Sequence, residues 1–246
     1  MASYLITGCS RGLGLELTKL LSSSPTVSTV FATARSLTPD LEDVVNSSSG
    51  RVHFVPLDVT KDNSIAAAAE EVARKLGSGN GLDVLVNNAG IQILEKDGAT
   101  RMHALSETLN VNVIGVHKVS SAFVPLLSRG AQKKLVFVSS QLGSMTNKED
   151  FSKGAPFPSY KISKAAVNML TVQYAMELGP KSFTVFAVNP GWLRTDMGGQ
   201  HANLEPVIGA RQVVKIIQEA TAADNGSFRQ IYVEGWEVYD GKNIPW

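Results

Sequence analysis

Tyr160 and Lys164 have the residue types and the spacing that proton transfer requires. Because they stand four positions apart, a helix would place both side chains on one face. A phenol ordinarily loses its proton at about pH 10, and a nearby ammonium lowers that pKa because it favours the phenolate. We therefore expect Tyr160 to donate and accept protons close to neutral pH. The same spacing often arises by chance, so this prediction depends on the rest of the chain.

A glycine-rich turn lies near the start of the chain. Residues 4–7 have the pattern of a short buried strand, and residues 15–21 have apolar side chains at helical spacing. Strand, glycine turn and helix is the order of a dinucleotide site, where the backbone approaches a pyrophosphate at the helix start. The glycines Gly8, Gly12 and Gly14 are not spaced as G-x-G-x-x-G, and a plain tight turn is the alternative.

The residues after the second predicted strand indicate which dinucleotide is bound. This strand, at residues 29–33, ends at Ala34 and Arg35, where a dinucleotide site meets the adenosine ribose. Ala34 supplies no carboxylate for the two ribose hydroxyls of NAD, whereas Arg35 and Arg11 could pair with a 2′-phosphate. These residues predict NADPH/NADP+ as the cofactor. The alternative is that both arginines are ordinary surface charges.

Asp58 follows a third predicted strand at residues 51–57. Its carboxylate could accept a hydrogen bond from the adenine amine. A cap for the helix predicted at residues 62–76 is the rival role.

Strands and helices alternate along the whole chain. Further strands are predicted at residues 82–86, 134–138, 183–188 and 229–233, and helices at residues 102–127, 160–178 and 206–222. This order predicts an α/β fold: a Rossmann-type doubly wound parallel sheet flanked by helices on both faces, in a single domain over residues 1–246. Ligands bind beyond the carboxyl ends of such strands. The residues expected at that edge are Gly8, Asp58, Asn87 to Gly90, Ser140 and Asn189 to Gly191.

The composition argues against several classes of partner. The net charge is +1, 18% of the 246 residues are charged, and no basic stripe is present, so we expect neither nucleic acid nor a membrane as partner. We expect no signal peptide and no apolar run long enough to span a bilayer. The single cysteine fits a reducing compartment, and we expect a cytoplasmic protein. The four histidines lack the spacing of metal ligands, so no metal is predicted.

Taken together, these residues resemble the short-chain dehydrogenase/reductase family, and the resemblance covers nearly the whole chain. Residues 191–199 and 239–246 resemble the branch that contains Sniffer-type carbonyl reductases and C-factor-like proteins. The motifs that carry the family resemblance are Thr7-Gly8-x-x-x-Gly12-x-Gly14, Asp58-Val59, Asn87-Asn88-Ala89-Gly90, Asn112, Ser140, Tyr160-x-x-x-Lys164 and Pro190-Gly191.

The resemblance implies a role for each catalytic residue. Tyr160 would be the proton donor, and Lys164 would hold the nicotinamide ribose and lower the pKa of Tyr160. Ser140 would bind the substrate carbonyl, and Asn112 would support a water-linked proton path to Lys164. Implied cofactor contacts are Gly8, Ser10, Arg11, Gly12, Leu13, Gly14, Arg35, Asp58, Val59, Asn87, Ala89, Gly90, Tyr160, Lys164, Pro190, Gly191, Leu193 and Thr195, and implied substrate contacts are Ser140, Gln141, Tyr160 and Trp192.

Two segments are expected to shape the substrate pocket. The segment at residues 143–158 is longer than is common in the family and carries Lys148, Glu149, Asp150 and Lys153. It is expected to form a mobile flap, with a plain solvated loop as the alternative. Residues 192–212 form a second candidate lid, in which Trp192, Met197 and Leu204 offer apolar contact to a ketone.

Two functions fit these expectations. The first is NADPH-dependent reduction of a small-molecule ketone or aldehyde to an alcohol, or the reverse NADP-dependent oxidation. The second is a dinucleotide-binding sensor with little or no turnover, against which the complete set of Ser140, Tyr160 and Lys164 argues. By family analogy the chain is expected to form a homo-oligomer, a dimer or tetramer, through the helices that bear Asn112 and Tyr160.

Overall fold

The protein is described by a computed structural model that covers residues 1–147 and 155–246. The middle of the predicted flap, residues 148–154 with Lys148, Glu149, Asp150 and Lys153, lies outside the described residues.

Seven strands form one sheet in the order β3-β2-β1-β4-β5-β6-β7. Every neighbouring pair is parallel, and the chain reverses its winding direction between β1 and β4. The strands are buried on both faces, which explains their nearly continuous apolar sequence. The predicted Rossmann-type parallel sheet is confirmed. The strands are β1 Ala2–Thr7, β2 Val27–Ala34, β3 Val52–Pro56, β4 Val84–Asn87, β5 Lys134–Val138, β6 Thr184–Asn189 and β7 Phe228–Gln230.

Helices cover both faces of the sheet. They are α1 Gly12–Ser22, α2 Pro39–Ser47, α3 Asp62–Leu76, α4 Leu105–Leu109, α5 Val116–Arg129, α6 Pro158–Leu178 and α7 Pro206–Glu219. Helix α2 was not predicted, although Pro39 at its first turn and the acidic residues Asp40 and Glu42 are typical of a helix start. Helix α7 and strand β7 end three residues earlier than predicted.

The hydrophobic core has two halves, one on each face of the sheet. Helices α1, α2 and α7 pack on one face, where Leu17 and Ile217 are fully buried. Helices α3, α5 and α6 pack on the other, with Phe123 and Val167 in the core. Successive residues of one strand serve opposite halves, as Leu5 and Ile6 of β1 show.

Helices α4 and α5 are joined by a π-helical turn, Asn110–Gly115, into one helical run. This run, Leu105–Arg129, has 25 residues, and its most apolar 18-residue stretch has a mean hydropathy of 1.3, so by length and composition it could cross a membrane. The expectation that no apolar run is long enough was therefore wrong. In the structure the run packs Val119, Phe123 and Leu127 into the core beside the sheet, and 44% of its most apolar 18-residue stretch is buried.

Candidate active site

Tyr160 and Lys164 lie on one buried face of helix α6, as their spacing predicts. Tyr160 is 8% exposed and Lys164 is 6% exposed. The Lys164 Nζ lies 5.5 Å from the centroid of the Tyr160 ring. The same Nζ donates a hydrogen bond of 2.8 Å to the carbonyl oxygen of Val138, the last residue of β5. This bond attaches the catalytic face of α6 to the carboxyl end of the sheet.

Ser140 follows β5 and faces the same helix. Its Oγ accepts a 3.2 Å hydrogen bond from the Leu142 N–H and begins a short 3₁₀ turn, Gln141–Gly143. The turn fits because Gly143 has no side chain: a Cβ there would lie 2.6 Å from the Lys164 carbonyl carbon. The Ser140 hydroxyl lies near enough to the Tyr160 phenol to lower its pKa. The structure thus brings together Ser140, Tyr160 and Lys164.

Burial controls the protonation of this group. It raises the pKa of Tyr160 to about 12, and the nearby Ser140 hydroxyl lowers it by less. Burial also lowers the pKa of Lys164 to about 8. The pKa of Tyr160 therefore differs from the near-neutral value expected from sequence, because the cost of burying a phenolate outweighs the neighbouring groups. At neutral pH the phenol keeps its proton and most of the Lys164 ammonium remains charged.

Asn112 lies in the π-helical turn and fixes the chain after β4. Its Oδ1 accepts from the Ile91 N–H at 2.8 Å, and its Nδ2 donates to the Ile91 carbonyl at 2.9 Å and to Ser163 Oγ at 3.0 Å. Gly90 is next to it, since a Cβ on Gly90 would lie 3.2 Å from Asn112 Oδ1. Asn112 thus connects the β4 exit to helix α6, and its place in a proton path remains a prediction.

Asn168 is a supporting residue that sequence analysis missed. It lies one turn beyond Lys164, and its Oδ1 accepts a 2.5 Å hydrogen bond from Ser139 Oγ. Its Nδ2 donates to the Gly143 carbonyl at 3.3 Å. Asn168 therefore holds both ends of the segment that carries Ser140. Its position on the Lys164 face of α6 was the available signal.

The glycine turn is held against the β4 exit by Asn88, which was also absent from the predicted contacts. Asn88 Nδ2 donates to the carbonyls of Thr7 and Gly8 at 2.8 and 3.2 Å. Thr7 Oγ1 accepts from the N–H groups of Asn88 and Ala89 at 3.0 and 2.9 Å. Gly8 has a φ of 75°, and a Cβ on Gly14 would lie 2.2 Å from the Gly8 oxygen, so only glycine fits this close turn.

The start of α1 fits the phosphates of a dinucleotide. Arg11 occupies the N-cap position without a side-chain cap, and the first turn contains no acidic residue. The first amides of this helix and the positive end of its dipole are therefore available to an anion. Nearby, the Ser10 carbonyl accepts from Thr38 Oγ1 at 3.0 Å, and Leu13 packs at the edge of the core. In the described residues the buried Asn87 Oδ1 at the β4 exit has no hydrogen-bond partner.

The residues predicted to contact the adenosine lie at the same edge. Arg35 is exposed directly after β2. Asp58 does not cap α3; its Oδ1 accepts from the N–H and Oγ1 of Thr60 at 2.9 and 2.7 Å, and these two bonds lower its pKa. Val59 packs against the π-helical turn, where a Cβ on Gly115 would lie 2.7 Å from the Val59 oxygen. The adenine contact of Asp58 remains a prediction.

The chain after β6 crosses the glycine turn. Arg11 Nε pairs with Asp196 Oδ2 at 3.2 Å, with both side chains exposed. A Cβ on Gly12 would lie 3.3 Å from Thr195 Cγ2. Thr195 Oγ1 accepts from the Gly198 N–H at 3.1 Å, so its hydroxyl shapes this loop. Thr195, a predicted cofactor contact that follows β6, thus lies beside Gly12, a predicted cofactor contact of the glycine turn.

The second candidate lid begins with an exposed tryptophan. Trp192 is 47% exposed, and its backbone N–H donates to the Tyr239 hydroxyl at 2.9 Å. Gly191, which follows Pro190, has a φ of 85° and lies against Tyr239 and Leu204. Leu204 was expected to offer apolar contact to a ketone, but it is buried in the core beneath Gly191, as is Leu193. Trp192 and Met197 keep exposed apolar surface.

Glu95 is a buried carboxylate that sequence analysis did not identify. It is 2% exposed, and Oε1 accepts from the N–H groups of His103 and Ala104 at 2.9 and 3.0 Å. Oε2 accepts from the N–H of Ser159 at 3.1 Å. Burial raises the pKa of Glu95, but hydrogen bonds from Ser159, Ala104 and His103 outweigh burial and hold the pKa at about 2. Glu95 thus clamps the start of α6, one residue before Tyr160, to the start of α4.

In the part of the chain that the structure describes, no group of three or more His, Cys, Asp or Glu side chains could hold a metal ion.

Comparisons with known proteins agree with this architecture. The family model described as short chain dehydrogenase matches residues 3–205. An oxidoreductase of Schizosaccharomyces pombe is 32% identical, over 99% of this chain and 97% of its own length. The carbonyl reductase Sniffer of D. melanogaster superposes with a TM-score of 0.88 at 30% identity, with 100% of both chains covered. The NADPH-bound carbonyl reductase from chicken fatty liver gives 0.89 at 30% identity, with 100% of this chain and 99% of that chain covered.

The site and the fold define an oxidoreductase that uses a nicotinamide dinucleotide and acts on small molecules. The chain belongs to the short-chain dehydrogenase family, as its motifs predicted, and its fold is that of the Sniffer-type carbonyl reductases.

We predict that Glu95→Gln lowers the free energy of unfolding by about 2 kcal/mol, because an amide NH₂ would face helix N–H groups that now bond a carboxylate. The loss should depend on pH. The folded pKa of about 2 lies below the ordinary 4.5, so the stabilisation is complete above about pH 4.5 and is lost as pH falls toward 2. Denaturant unfolding of both proteins from pH 7 down to the lowest pH at which both fold measures it.

Glu107→Gln is the matched control, since Glu107 is an exposed carboxylate on α4. It should change stability by less than about 0.5 kcal/mol. A difference between wild type and Glu95→Gln that stays constant from pH 7 to pH 3 would contradict the clamp.

Proposed function

We propose that the protein reduces a ketone or aldehyde to an alcohol with NADPH, with Tyr160 as the proton donor. The observation that carries the proposal is the buried Tyr160 phenol, which lies beside Ser140 and Lys164 at the carboxyl end of β5. NADPH supplies a hydride to the carbonyl carbon. The protein's part is then to stabilise and protonate the carbonyl oxygen.

Ser140 and Tyr160 both present hydroxyl donors for that oxygen. Negative charge develops there during the reaction, and donors already in position stabilise it mainly in the transition state. Tyr160 then transfers its proton to the oxygen. The ammonium of Lys164 favours the phenolate that remains, since Nζ is within 5.5 Å of the ring.

The pKa of Tyr160 supports reduction over the reverse oxidation. A phenol with a pKa of about 12 is fully protonated at neutral pH and is ready to donate. Oxidation of an alcohol would need the phenolate as base, which burial disfavours. The assembled donors also argue against a sensor without turnover.

We predict that Tyr160→Phe lowers kcat/KM for NADPH-dependent ketone reduction by about a thousandfold, because the proton donor is lost. The Kd for NADPH, measured by fluorescence titration, should change by less than about twofold. Tyr232→Phe is the control, since Tyr232 is exposed and is not among the predicted cofactor or substrate contacts. Turnover by Tyr160→Phe at the wild-type rate would exclude Tyr160 as donor. A wild type that binds NADPH but reduces no carbonyl compound would favour the sensor.

Cofactor choice belongs to the same proposal. Arg11 and Arg35 are exposed at the edge where the adenosine ribose would lie, and the end of β2 carries Ala34 where a carboxylate would bind the ribose hydroxyls of NAD. Two arginines suit a 2′-phosphate, which carries charge and can accept several hydrogen bonds. The similarity to an NADPH-bound carbonyl reductase supports the same choice.

We predict that Arg35→Asp raises the Kd for NADPH at least about tenfold, because a phosphate contact is replaced by charge repulsion. The Kd for NADH should change much less, since NADH lacks the 2′-phosphate. Arg129→Asp, at the exposed arginine that ends α5, controls for the change in net charge. Equal losses for both cofactors in Arg35→Asp would refute the contact.

We also propose that the protein forms a homo-oligomer through helix α6. Ile162, Met169 and Met176 are large apolar side chains exposed on this helix. They recur every seven residues and therefore share one face. A second copy of the same helix would match this stripe, because a two-fold interface pairs identical surfaces.

Light scattering should accordingly give wild-type protein a molar mass of at least two chains. Met169→Glu should reduce the mass to one chain, because it places a charge in the middle of the stripe. Leu37→Glu, at an exposed leucine in the connection between β2 and α2, should leave the mass unchanged. A monomeric wild type at micromolar concentration would contradict the interface.

A further inference from the structure

Three amide side chains form a network across the ends of neighbouring strands. Gln141 follows β5, Asn189 ends β6 and Gln230 ends β7. Asn189 and Gln230 are 3% and 5% exposed, whereas Gln141 is half-buried directly beside Ser140. We call these three residues the amide network.

Backbone groups fix the orientation of Gln230. Its Oε1 accepts from the Ile231 N–H at 3.2 Å, so this atom is the oxygen. Its Nε2 donates to the Val238 carbonyl at 3.0 Å, so this atom is the nitrogen. Reversing the amide would break both bonds, because it would place the NH₂ group against the Ile231 N–H and the oxygen against the Val238 carbonyl.

This orientation passes along the amide network to Gln141. Asn189 Nδ2 donates to Gln230 Oε1 at 2.9 Å, so the nitrogen of Asn189 faces inward. Gln141 then meets two amide nitrogens, Asn189 Nδ2 at 3.5 Å and Gln230 Nε2 at 3.4 Å. Only an oxygen can accept from both, and the atom in that place is Gln141 Oε1.

The consequence is a donor held in a fixed direction. With Oε1 turned to the amide network, the Nε2 of Gln141 makes no hydrogen bond to the described residues. It belongs to the residue after Ser140, in the short turn that packs on the Lys164 backbone. A half-buried NH₂ group gains most from a ligand that supplies an acceptor oxygen.

We infer that Gln141 determines specificity and that the substrate carries a second acceptor oxygen near its reacting carbonyl, as a 3-oxo ester does. This inference rests on the proposed function. Ser140 and Tyr160 take the reacting oxygen, and Gln141 Nε2 donates to the second oxygen. A simple ketone leaves that donor unpaired, and sites built to bond a polar group discriminate against ligands that lack it.

The test compares two ketones of equal chain length, ethyl 3-oxobutanoate and 2-heptanone. Calorimetry measures the Kd of each for the NADP+-loaded protein, in which no hydride is available, and NADPH oxidation measures kcat/KM for each. Wild type is expected to bind the oxo ester at least about tenfold more tightly. Because the ester also makes the ketone more reactive, kcat/KM ratios are compared between variants only.

Gln141→Glu is the sharpest variant, because it keeps Oε1 for the amide network and replaces the NH₂ donor by an oxygen. It should reduce the preference for the oxo ester about tenfold, in Kd and in kcat/KM alike. Gln141→Met, which removes the whole amide, should do the same if the carboxylate disturbs folding. Gln132→Glu makes the same change at an exposed residue before the start of β5 and should keep the wild-type preference.

Equal losses for both ketones in Gln141→Glu and Gln141→Met would overturn the inference and leave Gln141 a purely structural residue. An equal Kd for both ketones in wild type would also overturn it. If wild type reduces neither these ketones nor any other carbonyl compound, the proposed function fails. A binding preference that disappears in both Gln141 variants would still support the recognition of a second oxygen.

Discussion

The site depends on the attachment of helix α6 to the end of strand β5. One hydrogen bond, from the Lys164 ammonium to the Val138 carbonyl, joins them directly. Around it, the absence of a side chain at Gly143 lets the Ser140 turn touch the helix backbone, and Asn168 bonds both Ser139 and Gly143. A shift of the helix along the strand would separate the serine from the phenol, since they stand on different elements.

The same burial that positions these groups sets their charges. A phenolate and an ammonium are both costly to bury, so burial raises the pKa of Tyr160 to about 12 and lowers that of Lys164 to about 8. The Tyr160 phenol therefore keeps its proton until negative charge develops on the carbonyl oxygen of the substrate. Glu95 shows the opposite case: a buried carboxylate stays charged because N–H groups at two helix starts surround it.

The parts of this arrangement that follow local rules could be predicted from sequence. The strands are nearly continuous apolar runs, and the four-residue spacing of Tyr160 and Lys164 fixes their common face. The sheet then brings Gly8, Asn87 and Ser140 to one edge. Helix α2 was missed although Pro39 and Asp40 signal its start, so that error was avoidable.

Other features depend on partners far apart in the chain. Glu95 bonds residues 8, 9 and 64 positions away, and no spacing in the sequence indicates this. The high pKa of Tyr160 comes from how deeply it is buried, which its helical position does not reveal. In the sequence, Leu204 is an apolar residue in a candidate lid and therefore resembles a pocket residue. Only the fold shows that it packs against Gly191 instead.

A crystal structure with NADP+ and the alcohol product of an accepted ketone tests the roles of Tyr160, Ser140 and Lys164 most directly. The proposed mechanism predicts Tyr160 Oη and Ser140 Oγ both within about 3 Å of the product oxygen, the distance that proton transfer needs. It also predicts Lys164 Nζ in contact with a hydroxyl of the nicotinamide ribose. A phenol turned away from the product, with Ser140 out of reach of the same oxygen, would contradict it.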